Sequence, residues 1–377
     1  MRIRASPQDL CFDHGGGVTR SRRSRRQPGP RRSRGISKLF VLVVLLALAG
    51  AAFWAYQRYT GFADAPMAGI EQGETLVVEP GDSLAKVVGR LRASGVDVGH
   101  RVEWQSLARE LGAANKLQVG EYKLEPGMSP RDVLKALRDG KVISRGFMIV
   151  PGWTMRDLRA ALARNTALQH ETGDMTDAAL MAKLGHAGQH PEGRFLPETY
   201  QFVRGDSDLD VLRRAHEAMA RALDEAWEAR AKDTVLKSPD EALILASIVE
   251  KETGVADERP QIAGVFARRL KLGMRLETDP TVIYGMGSAY AGNIRKADLQ
   301  AVTPYNTYKI TGLPPTPIAM PGIDALRAAT NPAGGDALYF MAVGDGSGRH
   351  VFSRNYAEHQ AAWRAYMARY RAKNRTQ

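Results

Sequence analysis

The chain has 377 residues, 44% apolar and 25% charged, with a formal net charge of +12 and one cysteine. That length suggests two folded domains plus accessory segments, and the composition excludes a mainly disordered or collagen-like chain. The charge would suit a nucleic-acid partner, but residues 1–38 hold eleven Lys/Arg against Asp9 and Asp13, which is +9 of the +12. No nucleic-acid surface is needed to explain it.

Residues 1–38 read as a basic tail and residues 39–56 (LFVLVVLLALAGAAFWAY) as a transmembrane helix. Eighteen uncharged residues at about 1.5 Å each reach about 27 Å, close to a hydrocarbon core of about 30 Å. Trp54 and Tyr56 close the run, where amphipathic aromatics favour the headgroup layer. The Lys/Arg excess before the run predicts a single-pass anchor, with the N-terminus cytoplasmic and residues 57–377 outside the cytoplasm. A cleaved signal peptide is the rival reading, with Ala49-Gly50-Ala51 as its small-residue site; the long basic region and long apolar run favour a retained anchor. Cys11 lies in the tail, so the exported part has no disulfide, cysteine nucleophile or thiolate metal site.

Residues 57–74 read as a polar linker. A repeat follows: Val77-Val-Glu-Pro-Gly-Asp-Ser-Leu opens a pattern that returns at Lys123-Leu-Glu-Pro-Gly-Met-Ser-Pro and at Met148-Ile-Val-Pro-Gly-Trp-Thr-Met. Each copy predicts a strand, a Pro-Gly turn, and a helix capped by Ser83, Ser129 or Thr154. The module at 75–145 resembles LysM domains, which bind glycans containing N-acetylglucosamine. A spacer that holds a larger domain off the membrane is an equal alternative. Trp153 in the third copy suits a packing role better than sugar stacking.

Residues 146–377 change to long helices and then Gly/Pro-rich segments. Helices are expected over 208–232, from the Ser238 cap through Glu250, and from Pro260 to Gly273. No strong period holds from Leu276 to Gly322, a length that marks a functional surface rather than a plain loop. A strand over 337–343 and a helix from Asn355 close the chain. The fold class is α+β: one N-terminal transmembrane helix, a small LysM-like module and a larger mixed α+β catalytic domain.

Glu250 carries the most chemical information. Positions three, four and seven back are Ser247, Ala246 and Leu243, a stripe of small and apolar side chains. A carboxylate facing an apolar groove has its charged form disfavoured, the property wanted in a general acid near neutral pH. Glu252 lies about 200° round the helix and reads as a solvated surface charge beside Lys251 and Glu258. The exported histidines show no paired ligand spacing, and neither a phosphate-binding loop nor a dinucleotide fingerprint is present, so no metal or cofactor is expected.

Leu245-Ala-Ser-Ile-Val-Glu-Lys-Glu-Thr253 resembles the catalytic-helix motif of the YceG-like endolytic murein transglycosylases (the MltG family). Glu192-Gly-Arg-Phe-Leu-Pro-Glu-Thr-Tyr200, Leu276-Glu-Thr-Asp-Pro-Thr-Val-Ile-Tyr-Gly285, Tyr305-Asn-Thr-Tyr308 with Gly312-Leu-Pro-Pro315, and Leu338-Tyr-Phe with His350-Val-Phe-Ser353 extend the resemblance from about residue 75 to the C-terminus. The resemblance implies a lyase that cleaves the MurNAc–GlcNAc β-1,4 bond of nascent peptidoglycan strands, leaves 1,6-anhydro-MurNAc ends, and so terminates elongation. It implies Glu250 as the residue that gives and then takes a proton, and association with peptidoglycan synthases. Glu192, Tyr284, Tyr305, Asn306 and Thr307 carry groups suited to binding the sugar. A muramidase-type hydrolase, with Glu192 or Asp279 as second carboxyl, and a non-catalytic membrane-tethered scaffold are the alternatives.

Overall fold

The computed structural model describes residues 34–96 and 99–375; the basic tail before Arg34, Cys11 included, lies outside them. Contacts divide the chain between Gly61 and Phe62. The first helix, α1 (Arg34–Ala63), holds a stretch, Lys38–Ala63, long and apolar enough to cross a membrane. Its apolar side chains from Leu39 to Leu46 are exposed.

α1 does not stop at Tyr56 but runs seven residues into the segment read as linker. The end of that helix and the rest of the segment are held at three points. Ala63, Met67 and Ile70 are buried, and the Met67 N–H donates to the Met128 carbonyl at 2.9 Å. Apolar residues three or four apart in an otherwise polar stretch are enough to bury one face.

The unit from Phe62 onward begins with β1 (Thr75–Val78), α2 (Leu84–Ala93), α3 (Arg101–Glu110), β2 (Gly120–Lys123) and α4 (Pro130–Asp139). β1 and β2 pair antiparallel, with Thr75 opposite Lys123 and Val78 opposite Gly120. Leu76, Val87, Leu91, Trp104, Leu107, Tyr122, Leu134 and Leu137 fill the space beneath them.

Next come β3 (Arg145–Met148), α5 (Met155–Ala163), α6 (Asp177–Lys183), β4 (Thr199–Phe202) and α7 (Asp208–Glu228). Each repeat copy gives the expected strand, turn and helix. Ser83, Ser129 and Thr154 accept the N–H three residues on, which satisfies a donor the first helical turn leaves open. The third strand pairs outside the repeat, β3 with β4 in antiparallel register.

The remaining elements are α8 (Pro239–Glu252), α9 (Arg259–Lys271), α10 (Asp279–Met286), α11 (Lys296–Gln300), α12 (Ile323–Thr330), β5 (Tyr339–Ala342), β6 (His350–Ser353) and α13 (Tyr356–Arg375). α8 is the central element: Ala242 through Val249 are all buried, packed among α7, α9 and α12. A helix apolar all round is what such a position requires. Its cap is simpler than a reciprocal box, since Ser238 accepts the Glu241 N–H while the Glu241 carboxylate turns to the Lys237 N–H at 2.6 Å. The stretch without period, 276–322, is not all loop, because α10 and α11 lie within it.

Candidate active site

Glu250 and Glu252 close α8, and a two-residue step sets them about 200° apart. Glu250 does not face an apolar groove. One of its oxygens accepts the Gly322 N–H at 3.0 Å, and the other lies 3.7 Å from the Arg259 guanidinium. Its side chain is 7% exposed and walls neither cleft described below. Ser247, one turn back, leaves no vacancy for a ligand, since its hydroxyl accepts the Ile318 N–H at 3.0 Å and donates to the Ile244 carbonyl at 2.7 Å. These are the partners of an anchor that ties α8 to α9 and to the segment before α12. Periodicity sets Glu250 on an apolar stripe, but the structure surrounds its carboxylate with these polar partners instead.

Glu252, expected as a surface charge, has its carboxyl sequestered. Burial pushes it up to about 7, against the hydrogen bond donated by Thr278 Oγ1 and helped by the neighbouring Asp279 charge. The carboxyl opens on a cleft of about 390 Å³ walled by Tyr308, Tyr339, Phe340, His350 and Tyr356. α9 organises one wall. The buried Arg269 guanidinium donates to the Leu338, Arg275 and Leu276 carbonyls and to the Glu277 carboxylate, and lies 4.9 Å from the Tyr339 ring centre. The hairpin β5–β6 supplies another: Glu258, buried at the start of α9, accepts the His350 N–H at 3.1 Å and pairs with His350 Nδ1 at 2.8 Å.

The turn that brings Thr278 to Glu252 is strained. Glu277 has φ +52°, the sole non-glycine with positive φ among the described residues. Thr307 holds this turn from beneath. Its carbonyl accepts the Glu277 N–H at 3.3 Å, its hydroxyl accepts the Thr278 N–H at 3.0 Å, and the same hydroxyl meets Thr281 Oγ1 at 2.8 Å. Asn306 is likewise inward. Its amide donates to the carbonyls of Asp298, Leu299 and Ala301, and its oxygen accepts the Tyr308 N–H at 3.0 Å. Both residues shape the loop rather than line a cleft.

Glu192, Tyr284 and Tyr305 meet in a second, larger cleft of about 800 Å³, with Arg156, Lys251, Pro280 and Ile318 among its walls. Glu192 is 2% exposed. The Met155 N–H at the head of α5 reaches both its oxygens, at 3.0 and 3.1 Å, and the Tyr284 hydroxyl donates to it at 3.0 Å. Burial still outweighs those donors and pushes the carboxyl up to about 7. The Tyr284 and Tyr305 rings meet edge-on at 4.9 Å, and the Tyr305 hydroxyl is fixed by Thr316 Oγ1 at 2.8 Å. Of the five residues expected to bind sugar, these three are brought together.

A pH dependence of stability follows. Between its ordinary 4.5 and about 7, Glu192 holds a proton in the folded state that the unfolded chain has released. Stability therefore falls as pH rises through that window, by up to about 3 kcal/mol, and stays lower above it. Glu252 acts in the same direction. Denaturant unfolding at about pH 5 and about pH 8 should show the drop, and Glu192→Gln should flatten it. An undiminished drop in the variant would assign it to other groups.

Residues 76–365 match the YceG-like family. An endolytic murein transglycosylase of Bacillus subtilis (strain 168) is 30% identical over 308 residues, which cover 77% of this chain and 84% of that protein. An endolytic murein transglycosylase of Streptococcus pneumoniae serotype 2 (strain D39 / NCTC 7466) is 27% identical over 365 residues, 85% of this chain and 65% of the relative. The crystal structure of a yceG-like protein from Listeria monocytogenes is 28% identical with a TM-score of 0.49, covering 76% of this chain and 98% of that one.

Proposed function

Because this chain belongs to the YceG-like family, we propose that it is an endolytic peptidoglycan lytic transglycosylase, a lyase that cuts the MurNAc–GlcNAc β-1,4 bond without water. The observation that carries the chemical part is Glu252, whose carboxyl is pushed up to about 7 on an aromatic-walled cleft. A carboxyl so placed is protonated for a useful fraction of the time near neutral pH, as a general acid must be. Glu252, rather than Glu250, is therefore assigned the acid–base role.

Glu252 gives its proton to the glycosidic oxygen as the bond to the muramic C1 breaks. As carboxylate it then takes the proton of the muramic 6-hydroxyl while that oxygen bonds to C1. The 1,6-anhydro ring closes, and the enzyme regains its starting protonation. Glu192, Tyr284 and Tyr305 are assigned to binding adjoining sugars, with aromatic edges and a hydrogen-bonding carboxyl in one cleft.

The apolar Lys38–Ala63 helix supports a single-pass anchor in the inner membrane, and the basic tail before it supports a cytoplasmic N-terminus with the catalytic part periplasmic. An anchored site reaches nascent strands close to the membrane, where a cut ends their elongation and where peptidoglycan synthases are natural partners. Residues 75–145 are proposed as a LysM-like glycan-binding module on the strength of the repeated turn and cap.

Digestion of purified glycan strands by the full-length chain in detergent, with mass spectrometry of the new ends, tests the reading. Anhydro ends formed inside strands are expected. Reducing ends would make it a hydrolase, and ends only one disaccharide from a terminus would remove the endolytic part.

A further inference from the structure

Asp279 takes no part in the proton transfers assigned to Glu252, yet it opens on the same cleft. We propose that Asp279 is a second catalytic carboxylate, which stabilises the positive charge that develops at the muramic C1 and ring oxygen as the glycosidic bond breaks. The proposal rests on the reading of Glu252 as proton donor.

Placement comes first. Asp279 directly follows Thr278, the residue whose hydroxyl donates to Glu252, and both carboxyl-bearing residues line the same cleft. The strained turn at Glu277 sets this arrangement, braced by Arg269 on one side and Thr307 on the other. Backbone strain persists where the surroundings over-determine it, and such positions cluster at functional sites. A relaxed Glu277 would re-aim both Thr278 and Asp279.

Charge comes second. The other titratable groups on the cleft are already engaged. Glu277 is paired with Arg269 at 3.1 Å, and His350 with the buried Glu258 at 2.8 Å. His359 stacks on Tyr339 at 5.2 Å with Tyr356 beside it. Asp279 is exposed to the cleft and makes no ion pair among the described residues; the Tyr308 hydroxyl donates to its Oδ1 at 2.7 Å. A hydroxyl fixes the direction of a carboxylate without cancelling its charge.

The chemistry closes without a further reactant. Cleavage of the bond from C1 to the leaving oxygen, with the proton supplied by Glu252, leaves an oxocarbenium-like sugar. Asp279 faces that developing charge and forms no bond to it. The muramic 6-oxygen then attacks C1 and returns its proton to Glu252. A proton-donating carboxyl with a second, charge-stabilising carboxyl beside it is a recurring division of labour in glycosidic bond cleavage. The structural rival is that Asp279 serves only as an acidic first residue of α10, where it favours the helix dipole.

The experiment compares full-length wild type, Asp279→Asn and Asp279→Glu in detergent on purified strands, recording kcat and KM against pH and the identity of the ends. Asp279→Asn is expected to lower kcat by about 10²-fold with a much smaller change in KM. Removing the like charge beside Glu252 should also move the limb on which rate falls with rising pH toward lower pH. Asp279→Glu should regain part of the rate and hold the limb near its wild-type position. A kcat within about threefold of wild type, or a loss with the limb unmoved, would overturn the proposal. If Asp279→Asn does not fold, Asp279→Glu and Tyr308→Phe decide: both are expected to lose kcat, and wild-type kcat in both overturns it. Reducing ends from the wild type would instead overturn the lytic reading, a result independent of how Asp279→Asn behaves.

Discussion

Glu252→Gln is expected to cut the formation of anhydro ends at least about 10²-fold, because one carboxyl serves both proton transfers. The variant keeps the shape of the side chain and an oxygen for the Thr278 hydroxyl. Melting should change little, or rise slightly above neutral pH once the raised carboxyl is gone. Glu250→Gln should behave in the opposite way. It retains an acceptor for the Gly322 N–H but leaves the Arg259 guanidinium without its carboxylate, in a site where Arg259 Nε already has no partner. A loss of about 1–3 kcal/mol in stability is expected, with the rate per folded molecule largely kept. Rates and denaturation midpoints measured on both variants separate the roles. Activity lost in Glu250→Gln but kept in Glu252→Gln would return the acid to Glu250.

The second large effect is expected from the addition of one methyl group. A Cβ at Gly264 would stand 2.3 Å from the Ala333 carbonyl oxygen and 2.9 Å from an Arg268 nitrogen. The backbone there cannot retreat, since the Ala333 N–H donates to the Pro260 carbonyl at 2.8 Å and Arg268 holds the Ala333 and Ala337 carbonyls at 3.0 and 2.7 Å. Gly264→Ala should destabilise by about 1–3 kcal/mol or more, the range for overpacking against an unyielding neighbour. Segment 333–338 feeds β5 and the Tyr339 wall of the cleft, so the substrate KM should rise as well. Urea unfolding of Gly264→Ala with an unchanged slope and an unchanged midpoint would contradict the close approach.

The parts of the fold legible in the sequence are those set by local chemistry. Pro-Gly turns followed by Ser or Thr fix the three strand–turn–helix units, because a cap acts within three residues. The clefts are another matter. Glu252 is brought to Thr278, Tyr308 and His350 from distances in sequence of 26 to 98 residues, and no period reports such meetings. Even so, the local signal for Glu252 was present. Three, four and seven residues back from it stand Val249, Ile248 and Leu245, all buried, a more apolar stripe than the Ser247, Ala246 and Leu243 behind Glu250. Small residues next to Glu250 suggested room for a ligand, but Ile318 occupies it through Ser247. Asn306 and Thr307 point to the sugar by their polarity and their place in the Tyr305–Tyr308 motif on the stretch without period. Buried backbone groups compete for the same polarity, and in a Gly/Pro-rich stretch they outnumber the ligand.

The three strand–turn–helix units invite a comparison among themselves. The residue immediately past the cap is Leu84 in the first and Pro130 in the second, and proline has no N–H to give; in the third, the N–H of Met155 at that position is the donor that seats Glu192. The third unit thus lends a backbone donor to the cleft that Glu192 lines, which the second, with proline at that position, cannot do. The copies should consequently differ in how freely they can be exchanged. The third carries a neighbour 37 residues away on its opening N–H, and a proline brought in from the second would remove that donor.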